Sequence, residues 1–162
     1  MSAEIIIRSA RPGETGIVLQ FIRELAEYEH LAHEVVANEE SLQRALFGPK
    51  PYAEVVFACL HNEPVGFALF FHNFSTFAGR PGIYLEDLFV RPAARGLGVG
   101  KRLLSWLAAQ AVQRNCARLE WAVLDWNAPA IGFYEGLEAV PKDEWRIFRL
   151  TGAALERLAA SS

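Results

Sequence analysis

The stretch Ile83–Leu107 constrains the fold most, because a strand, a turn, a glycine loop and a helix follow one another within it. The strand Ile83–Val90 is apolar enough to be central in a sheet, yet it contains Glu86 and Asp87. A buried carboxylate is costly unless a partner satisfies it, so Glu86 is expected to have a purpose other than packing. Strand alternation predicts one face with Tyr84, Glu86, Leu88 and Val90, and the other with Leu85, Asp87 and Phe89.

The loop after this strand has glycines at alternate positions, Gly96, Gly98 and Gly100, and opens a helix predicted from Lys101 to about Asn115. Glycines let a ligand approach the backbone closely, and the first N–H groups of a helix form a site for anions. Positive charge flanks the loop at Arg95, Lys101 and Arg102. The sequence therefore predicts that this loop binds a diphosphate.

Two other kinds of phosphate loop are excluded by the spacing. A P-loop needs glycine where Arg95 stands and a hydroxyl residue where Arg102 stands. The dinucleotide fingerprint needs two residues between its second and third glycines, whereas Gly98 and Gly100 are separated by one.

The order of predicted elements indicates a mixed, mostly antiparallel sheet flanked by helices, in the α/β (α+β mixed) class. The length of 162 residues predicts a single domain, 1–162. A hairpin-length connection between Glu54–Leu60 and Val65–Phe71 makes those two strands antiparallel. The other predicted strands are Glu4–Ser9, Ile83–Val90, Arg118–Leu124 and Trp145–Leu150, and the helices are Ile17–Tyr28, Ser41–Phe47, Lys101–Asn115, one after Asn127, and Ala153–Ala159.

Composition and charge limit the kinds of partner that the protein is expected to bind. A net charge of −3 argues against nucleic acid and is compatible with a cationic substrate. Cys59 and Cys116 form no disulfide framework, and with no secretory leader or membrane-length apolar run we expect a cytoplasmic protein with reduced thiols. His30 and His33 have no converging Cys or carboxylate set, so no metal is expected.

Arg95–Lys101 behind an acidic strand resembles the acetyl-coenzyme A loop of the GNAT superfamily of N-acetyltransferases. Further matches extend over nearly the whole chain and resemble the diamine (spermidine/spermine-type) branch: Leu25-Ala26-x-Tyr28-Glu29, Tyr84-Leu85-Glu86-Asp87, Trp126-Asn127-x-Pro129 and Phe133-Tyr134. The resemblance implies a sheet whose fourth and fifth strands splay apart and hold acetyl-CoA between them.

The resemblance also implies the site residues. The cofactor would contact Leu88, Phe89, Val90, Arg95, Gly96, Leu97, Gly98, Val99, Gly100, Lys101, Asn127, Ala130 and Tyr134. The substrate amine would contact Tyr28, Glu29, Glu86, Asp87, Trp121 and Glu144. Asn127 is also a good helix N-cap by residue type, and the two roles are compatible.

Two catalytic residues are expected. Glu86 is interpreted as the base that takes the amine proton, directly or through water, because a carboxylate in a partly apolar strand has a raised pKa. The alternative is a structural ion pair with Arg95 or with an arginine at an interface. Tyr134 resembles the general acid of the family and would protonate the leaving thiolate. A backbone N–H at a strand bulge near Leu88 would hold the oxyanion.

The predicted function is direct acetyl transfer to a primary amine of a small, polyamine-like or lysine-like molecule. Ser75 and Phe77 stand where polyamine-specific relatives have an aspartate and a tryptophan, so one anionic contact is absent. The aromatic loop Phe74–Gly82 is expected to form a wall of the acceptor pocket. Alternatives are a protein or peptide acetyltransferase and a non-catalytic acetyl-CoA-binding module. The family resemblance further implies a homodimer.

Overall fold

The computed structural model describes residues 3–161, which fall into two compact units, Met1–Leu124 and Asp125–Ser162. The first unit contains β1 Ile5–Ser9, α1 Thr15–Tyr28, α2 Glu39–Phe47, β2 Glu54–Leu60, β3 Glu63–Ser75, β4 Arg80–Val90, α3 Val99–Gln113 and β5 Leu119–Trp121, with short 3₁₀ turns at Ala32–Glu34 and Pro92–Ala94. The second unit contains α4 Ala128–Gly136 and α5 Gly152–Ala160. The single-domain expectation stays a prediction.

Five strands form one sheet in the order β1-β2-β3-β4-β5. Neighbours are antiparallel from β1 to β4, whereas β4 and β5 run parallel. The parallel pair follows from the chain path, because a helix connects β4 to β5 and parallel strands need such a crossover. The predicted mixed, mostly antiparallel sheet with flanking helices is confirmed.

Helices cover both faces of the sheet. On one face α1 and α2 pack on the strands, and the ring of Phe21 stacks on that of Phe67 with centroids 5.2 Å apart. On the other face α3 packs on the sheet, and Trp106 meets the edge of the Phe70 ring at 5.9 Å. Burying side chains on both sides explains why β2 and β3 read as nearly continuous apolar runs rather than alternating ones.

A bulge interrupts β4 at Glu86. Leu69 of β3 pairs with Asp87, while the next residue, Phe70, pairs with Leu85, so Glu86 is an extra residue without a partner in β3. Leu85 therefore lies with Phe70 on the α3 face, and Asp87 lies with Leu69 on the α1 face. The predicted alternation, which placed Leu85, Asp87 and Phe89 together, is wrong because a bulge reverses the side-chain alternation. A bulge in this strand near Leu88 is confirmed, and the structure places it at Glu86, while Leu88 pairs with Ala68.

The fourth and fifth strands separate beyond the bulge. Their parallel pairing runs from Ile83 with Leu119 to Leu85 with Trp121, and β4 continues to Val90 with β3 as its described strand neighbour. A bulge adds local twist to its strand, which favours this separation. The predicted splaying of the two strands is confirmed.

Several predicted boundaries were wrong. The predicted loop Phe74–Gly82 is mostly hairpin, because Phe74 pairs with Pro81 and Ser75 pairs with Arg80. Trp145–Leu150 has the alternating pattern of a strand but is not one. Among the described residues the second unit contains helices and no strand, so this segment has no strand within its own unit with which to pair.

Candidate active site

A cleft of about 390 Å³ lies between α1 and the bulged part of β4. Its lining combines aliphatic side chains with carboxylates: Ile22, Leu25, Ala26, Glu29, Leu31, Glu34, Val35, Val36, Ala37, Glu86 and Asp87. All of these residues belong to the first unit. The structure thus brings together three predicted substrate residues, Glu29, Glu86 and Asp87.

The end of α1 shapes the cleft. The helix stops at Tyr28, Glu29 follows as its C-cap, and His30 adopts a left-handed backbone with φ +60°. The N–H of Leu31 then donates to the carbonyl of Ala26 at 2.8 Å, which is the 6→1 bond of a helix-ending turn. This turn directs residues 31–37 along the cleft wall. Sequence reasoning missed these wall residues, although the apolar run Val35-Val36-Ala37 between two helices was a signal.

Asp87 and Glu29 are half-buried carboxyls of the cleft, whereas Glu34 and Glu86 are exposed. Burial, together with the negative charges of Glu86 and Glu29, raises the pKa of Asp87 to about 7. Burial also raises the pKa of Glu29. Within residues 3–161, the Asp87 carboxyl has no side-chain hydrogen bond and no ion pair. The described residues that line the cleft therefore include carboxyl groups, either charged or protonated, and no basic side chain.

Glu86 lines the same cleft, but its side chain is exposed. The burial on which its predicted role as base rested is therefore wrong, because the bulge turns this residue outward while Asp87 takes the sheltered position. The alternative of an ion pair with Arg95 is not observed, since the Arg95 Nε donates to the carbonyl of Val90 at 3.0 Å. A catalytic role for Glu86 stays a prediction.

Arg95 connects the predicted cofactor loop with α1. Its guanidinium lies over the Tyr28 ring, 5.1 Å from the centroid, and over the Phe89 ring at 5.5 Å. The two rings also contact each other at 6.4 Å. Such cation–π contacts stabilise by about 0.5–1 kcal/mol at exposed sites. One predicted cofactor residue therefore touches one predicted substrate residue.

The glycine loop has the geometry that a diphosphate needs. Gly96 and Gly98 have φ of +79° and +83°, and a Cβ added at either would meet nothing within 4 Å. Gly98 is the N-cap of α3, so the N–H groups of Val99, Gly100 and Lys101 lack intrahelical partners. Open backbone with free donors at a helix start fits a diphosphate. Leu97 is exposed above the loop and Val99 is buried beneath it.

Leu88, Phe89 and Val90 occupy the part of β4 that has lost β5 as a neighbour. Alternate backbone groups of an unpaired strand edge are free to bond a ligand. Trp121 lies at the last paired position of β5, where the two strands begin to separate. Neither Phe74 nor Phe77 is among the residues that line this cleft, and the aromatic wall stays a prediction. The Oγ of Ser75 accepts a hydrogen bond from the Ala78 N–H at 3.2 Å.

The remaining predicted site residues belong to the second unit. Asn127 is buried and caps α4, its Oδ1 accepting from the Ala130 N–H at 3.3 Å, so the predicted cap is confirmed. Tyr134 is half-buried in α4, with its ring 5.7 Å from that of Phe133. Glu144 is exposed and pairs with Lys142 at 2.9 Å, and this hydrogen bond lowers its pKa. Roles for these residues stay predictions.

Residues 3–161 contain neither a metal-binding cluster nor a membrane-spanning helix. No group of three or more His, Cys, Asp or Glu side chains is arranged to hold a metal ion. No helix there is both long and apolar enough to span a bilayer.

Comparison with known proteins gives consistent results. The chain is 39% identical over 168 residues to thialysine N-epsilon-acetyltransferase of Bos taurus, covering 97% of this chain and 98% of that protein. It is 32% identical to L-ornithine N5-acetyltransferase of Arabidopsis thaliana, covering 94% of this chain and 86% of that protein. Among solved structures, an integron cassette protein from the mobile metagenome of V. cholerae superposes with a TM-score of 0.81 at 31% identity, covering 99% of both chains.

Family membership follows from the sequence profile as well. The profile of the acetyltransferase (GNAT) family matches residues 19–138, which include most of α1, the bulged strand, the glycine loop and α4. The resemblance predicted from Arg95–Lys101 is confirmed. The chain belongs to the acetyltransferase (GNAT) family, whose members use acetyl-CoA as the acetyl donor, and is an N-acetyltransferase.

Proposed function

We propose that the protein transfers the acetyl group of acetyl-CoA directly to the primary amine of a small aliphatic molecule. The observation that carries this proposal is the cleft beside β4, which combines aliphatic walls with carboxylates. Carboxylates attract an ammonium group, and the aliphatic walls suit a methylene chain. The two curated relatives support the proposal, because they are named for acetylating thialysine and ornithine.

The cofactor would extend from the glycine loop along the open part of β4. Its diphosphate would bind the N–H groups at the start of α3, with Arg95 and Lys101 nearby, and its pantetheine arm would bond backbone groups of Leu88–Val90. Asn127 and Ala130 are proposed as further cofactor contacts. Tyr28, Trp121 and Glu144 are proposed to help hold the amine beside Glu29, Glu86 and Asp87.

The amine needs help to react. A primary amine with a pKa near 10.4 is neutral in only about one molecule in 2,500 at pH 7, a deficit of about 4.6 kcal/mol. A carboxylate of the cleft removes one proton, and sequence reasoning assigns this role to Glu86. The neutral nitrogen then forms a bond to the thioester carbon, and the carbon–sulfur bond breaks. The second nitrogen proton leaves as the amide forms.

Tyr134 is proposed to protonate the departing thiolate. With a tyrosine pKa near 10 and a thiol pKa near 8.5, the transfer is uphill by about 2 kcal/mol unless the site lowers the tyrosine pKa. We further propose that the protein acts in the cytoplasm as a homodimer and needs no metal. Light scattering tests the dimer, and unchanged activity after chelation tests the last point.

The function is tested by thiol release with a panel of acceptors. Thialysine, ornithine, 1,5-diaminopentane and a lysine-containing peptide are each added to the protein with acetyl-CoA, and free thiol is followed over time. We expect the fastest release with the small amines. Faster release with the peptide would favour a protein acetyltransferase. Binding of acetyl-CoA without release for any acceptor would favour a non-catalytic module.

The role of Tyr134 is tested by Tyr134→Phe, which removes the hydroxyl and keeps the ring. We expect kcat to fall about 10²–10⁴-fold, because general acid catalysis contributes that much, while the KM for acetyl-CoA changes little. Tyr52→Phe, at an exposed tyrosine outside the cleft lining, is the matched control. A kcat near that of the wild type between pH 7 and 9 would exclude Tyr134 as the acid.

A further inference from the structure

Asp87 stands out among the carboxyl groups because the structure shelters it and gives it no cation. Its side chain is half-buried on the α1 face of the sheet. Within the described residues no side chain hydrogen-bonds to it, and the arginines that follow on the chain are engaged elsewhere. Arg91 pairs with Glu24 at 3.2 Å, and Arg95 bonds the carbonyl of Val90. A sheltered carboxylate without a partner is costly in a folded protein.

The bulge at Glu86 creates this arrangement. In a regular strand without a bulge, Asp87 would lie on the same face as Leu85, which packs toward α3 and is only 3% exposed. The bulge instead turns Asp87 toward the cleft and leaves Glu86 exposed at its margin. Bulges of this kind often re-aim one side chain at a functional site. The cost of the unpaired carboxyl is thus confined to the place where a cationic substrate would bind.

We propose that Asp87, rather than Glu86, is the catalytic residue that accepts the proton of the substrate ammonium. This inference rests on the proposed function and names the base of the same reaction. The exposed Glu86 and the half-buried Glu29, which also line the cleft, attract the ammonium and hold it beside Asp87. The exposed Glu86 is well placed for binding and less suited to the proton transfer.

The proton balance is complete. The ammonium gives one proton to the Asp87 carboxylate and becomes a neutral amine, whose nitrogen attacks the thioester carbon. The nitrogen–carbon bond forms and the carbon–sulfur bond breaks, giving the amide and the thiolate of coenzyme A. The nitrogen loses its second proton as the amide forms, and the thiolate takes up one proton, so the products are the neutral amide and the thiol. Asp87 returns its proton to water through the open cleft, so one proton is released in each turnover.

The charged surroundings favour Asp87 as the acceptor. Facing it are Glu29 from α1, Glu34 from the turn after α1, and Glu86 from its own strand, and all three are acidic. Burial and the charges of Glu86 and Glu29 favour the protonated form of Asp87, with a pKa of about 7. A general base is most effective when its pKa lies near the working pH. An ordinary exposed carboxylate would be too weak a base for this step.

The experiment compares Asp87→Asn with Glu86→Gln through the pH dependence of kcat/KM, with thialysine as the acceptor and acetyl-CoA saturating. For the wild type, kcat/KM should rise about tenfold per pH unit below pH 7 and then level off, as Asp87 ionises. For Asp87→Asn it should be about 10²–10⁴-fold lower at pH 7. It should keep rising tenfold per unit up to pH 9, because the amine must then arrive already neutral.

Glu86→Gln serves as the matched control on the same strand. It should raise the KM for thialysine and keep the levelling near pH 7. Asp87→Glu, which restores a carboxyl, should recover the levelling in part. Acetyl-CoA affinity by calorimetry and thermal unfolding show whether each variant is folded. If Asp87→Asn proves unfolded, the Asp87→Glu profile carries the test, and loss of its levelling contradicts the proposal.

The outcomes separate this inference from the function. A wild-type protein that releases no thiol with any panel amine overturns the function, and the assignment of the base with it. An active wild type whose Asp87→Asn variant keeps the levelling overturns the assignment of Asp87 alone. If Asp87→Asn keeps the levelling of kcat/KM and Glu86→Gln loses it, Glu86 is the base.

Discussion

The two halves of β4 have different neighbours and different tasks. The half before the bulge, Ile83–Leu85, pairs with β3 on one side and β5 on the other, and its Ile83 and Leu85 are buried. The half from the bulge onward begins with the unpaired Glu86, and its residues Asp87–Val90 pair with β3 and have lost β5. It carries two of the four carboxyl groups that line the cleft, Glu86 and Asp87, and leads into the glycine loop. One strand therefore serves as core in its first half and as site in its second.

The difference shows how a sheet can combine stability with a binding surface. A strand paired on both sides satisfies its backbone groups and buries its side chains, so it contributes stability and leaves no room for a ligand. Opening one edge frees backbone donors and acceptors at a cost in stability. The bulge at Glu86 lies between the part of β4 that is paired on both sides and the part that is paired on one side. It also turns Asp87 toward the cleft.

The largest effect is expected from Leu85→Ala, in the closed half. Truncating a buried leucine should lower the free energy of unfolding by about 2–5 kcal/mol, because it removes buried apolar surface and leaves a cavity. The affinity for acetyl-CoA of the molecules that remain folded should change little. Denaturant unfolding and calorimetry measure the two quantities.

Leu88→Ala, in the open half, is the matched comparison. Leu88 is half-buried, so its truncation should cost less stability, while the cofactor beside it should bind more weakly. The division of β4 into two halves would be contradicted if both variants lost acetyl-CoA affinity equally.

The sequence predicted the plan of the molecule because its signals were local. Alternate glycines before a helix indicated a phosphate loop, and a carboxamide followed by proline indicated the cap that Asn127 provides. Splaying of the fourth and fifth strands followed from the family resemblance. These features depend on a few adjacent residues, or on motifs that recur in order.

The details of the site could not be predicted from the sequence, because they depend on the pairing register of β3 and β4. Nothing in Leu85-Glu86-Asp87-Leu88 shows which residue is the extra one, since the bulge is set by the pairing of β4 with Leu69 and Phe70 of β3. A shift of one residue exchanges the faces of a strand. Sequence reasoning therefore placed the burial on Glu86 when it belongs to Asp87. Likewise, Trp145–Leu150 has a strand pattern, but a strand forms only beside another strand.

A smaller effect is expected from the glycines that follow the open half. Gly98→Ala should lower stability by about 1–2 kcal/mol, because Gly98 has a left-handed backbone that alanine tolerates poorly. Gly100→Ala should leave stability unchanged or higher, since its added Cβ would lie 3.9 Å from Val90 and alanine favours helix.

Both variants should weaken acetyl-CoA binding about tenfold or more, that is by about 1.4 kcal/mol, if phosphate oxygens approach this backbone. Gly13→Ala, at a glycine outside the loop with no atom within 4 Å of its added Cβ, is the control. Wild-type affinity in Gly100→Ala would show that the diphosphate binds elsewhere.

The smallest effect is expected from Arg95→Lys. This substitution tests the contacts that Arg95 makes with Tyr28, Phe89 and Val90 beside the open half of β4. Lysine keeps the positive charge for the diphosphate but loses the planar stack on Tyr28 and Phe89 and the Nε bond to Val90. The free energy of unfolding should fall by about 0.5–1 kcal/mol, the range of an exposed cation–π contact. The KM for the amine should rise a few-fold, because Tyr28 loses a contact that positions it. Arg102→Lys, on the first turn of α3, controls for a general effect of replacing arginine near the loop. An Arg95→Lys variant with wild-type stability and amine KM would show that Arg95 acts through charge alone, and that the two binding regions are independent.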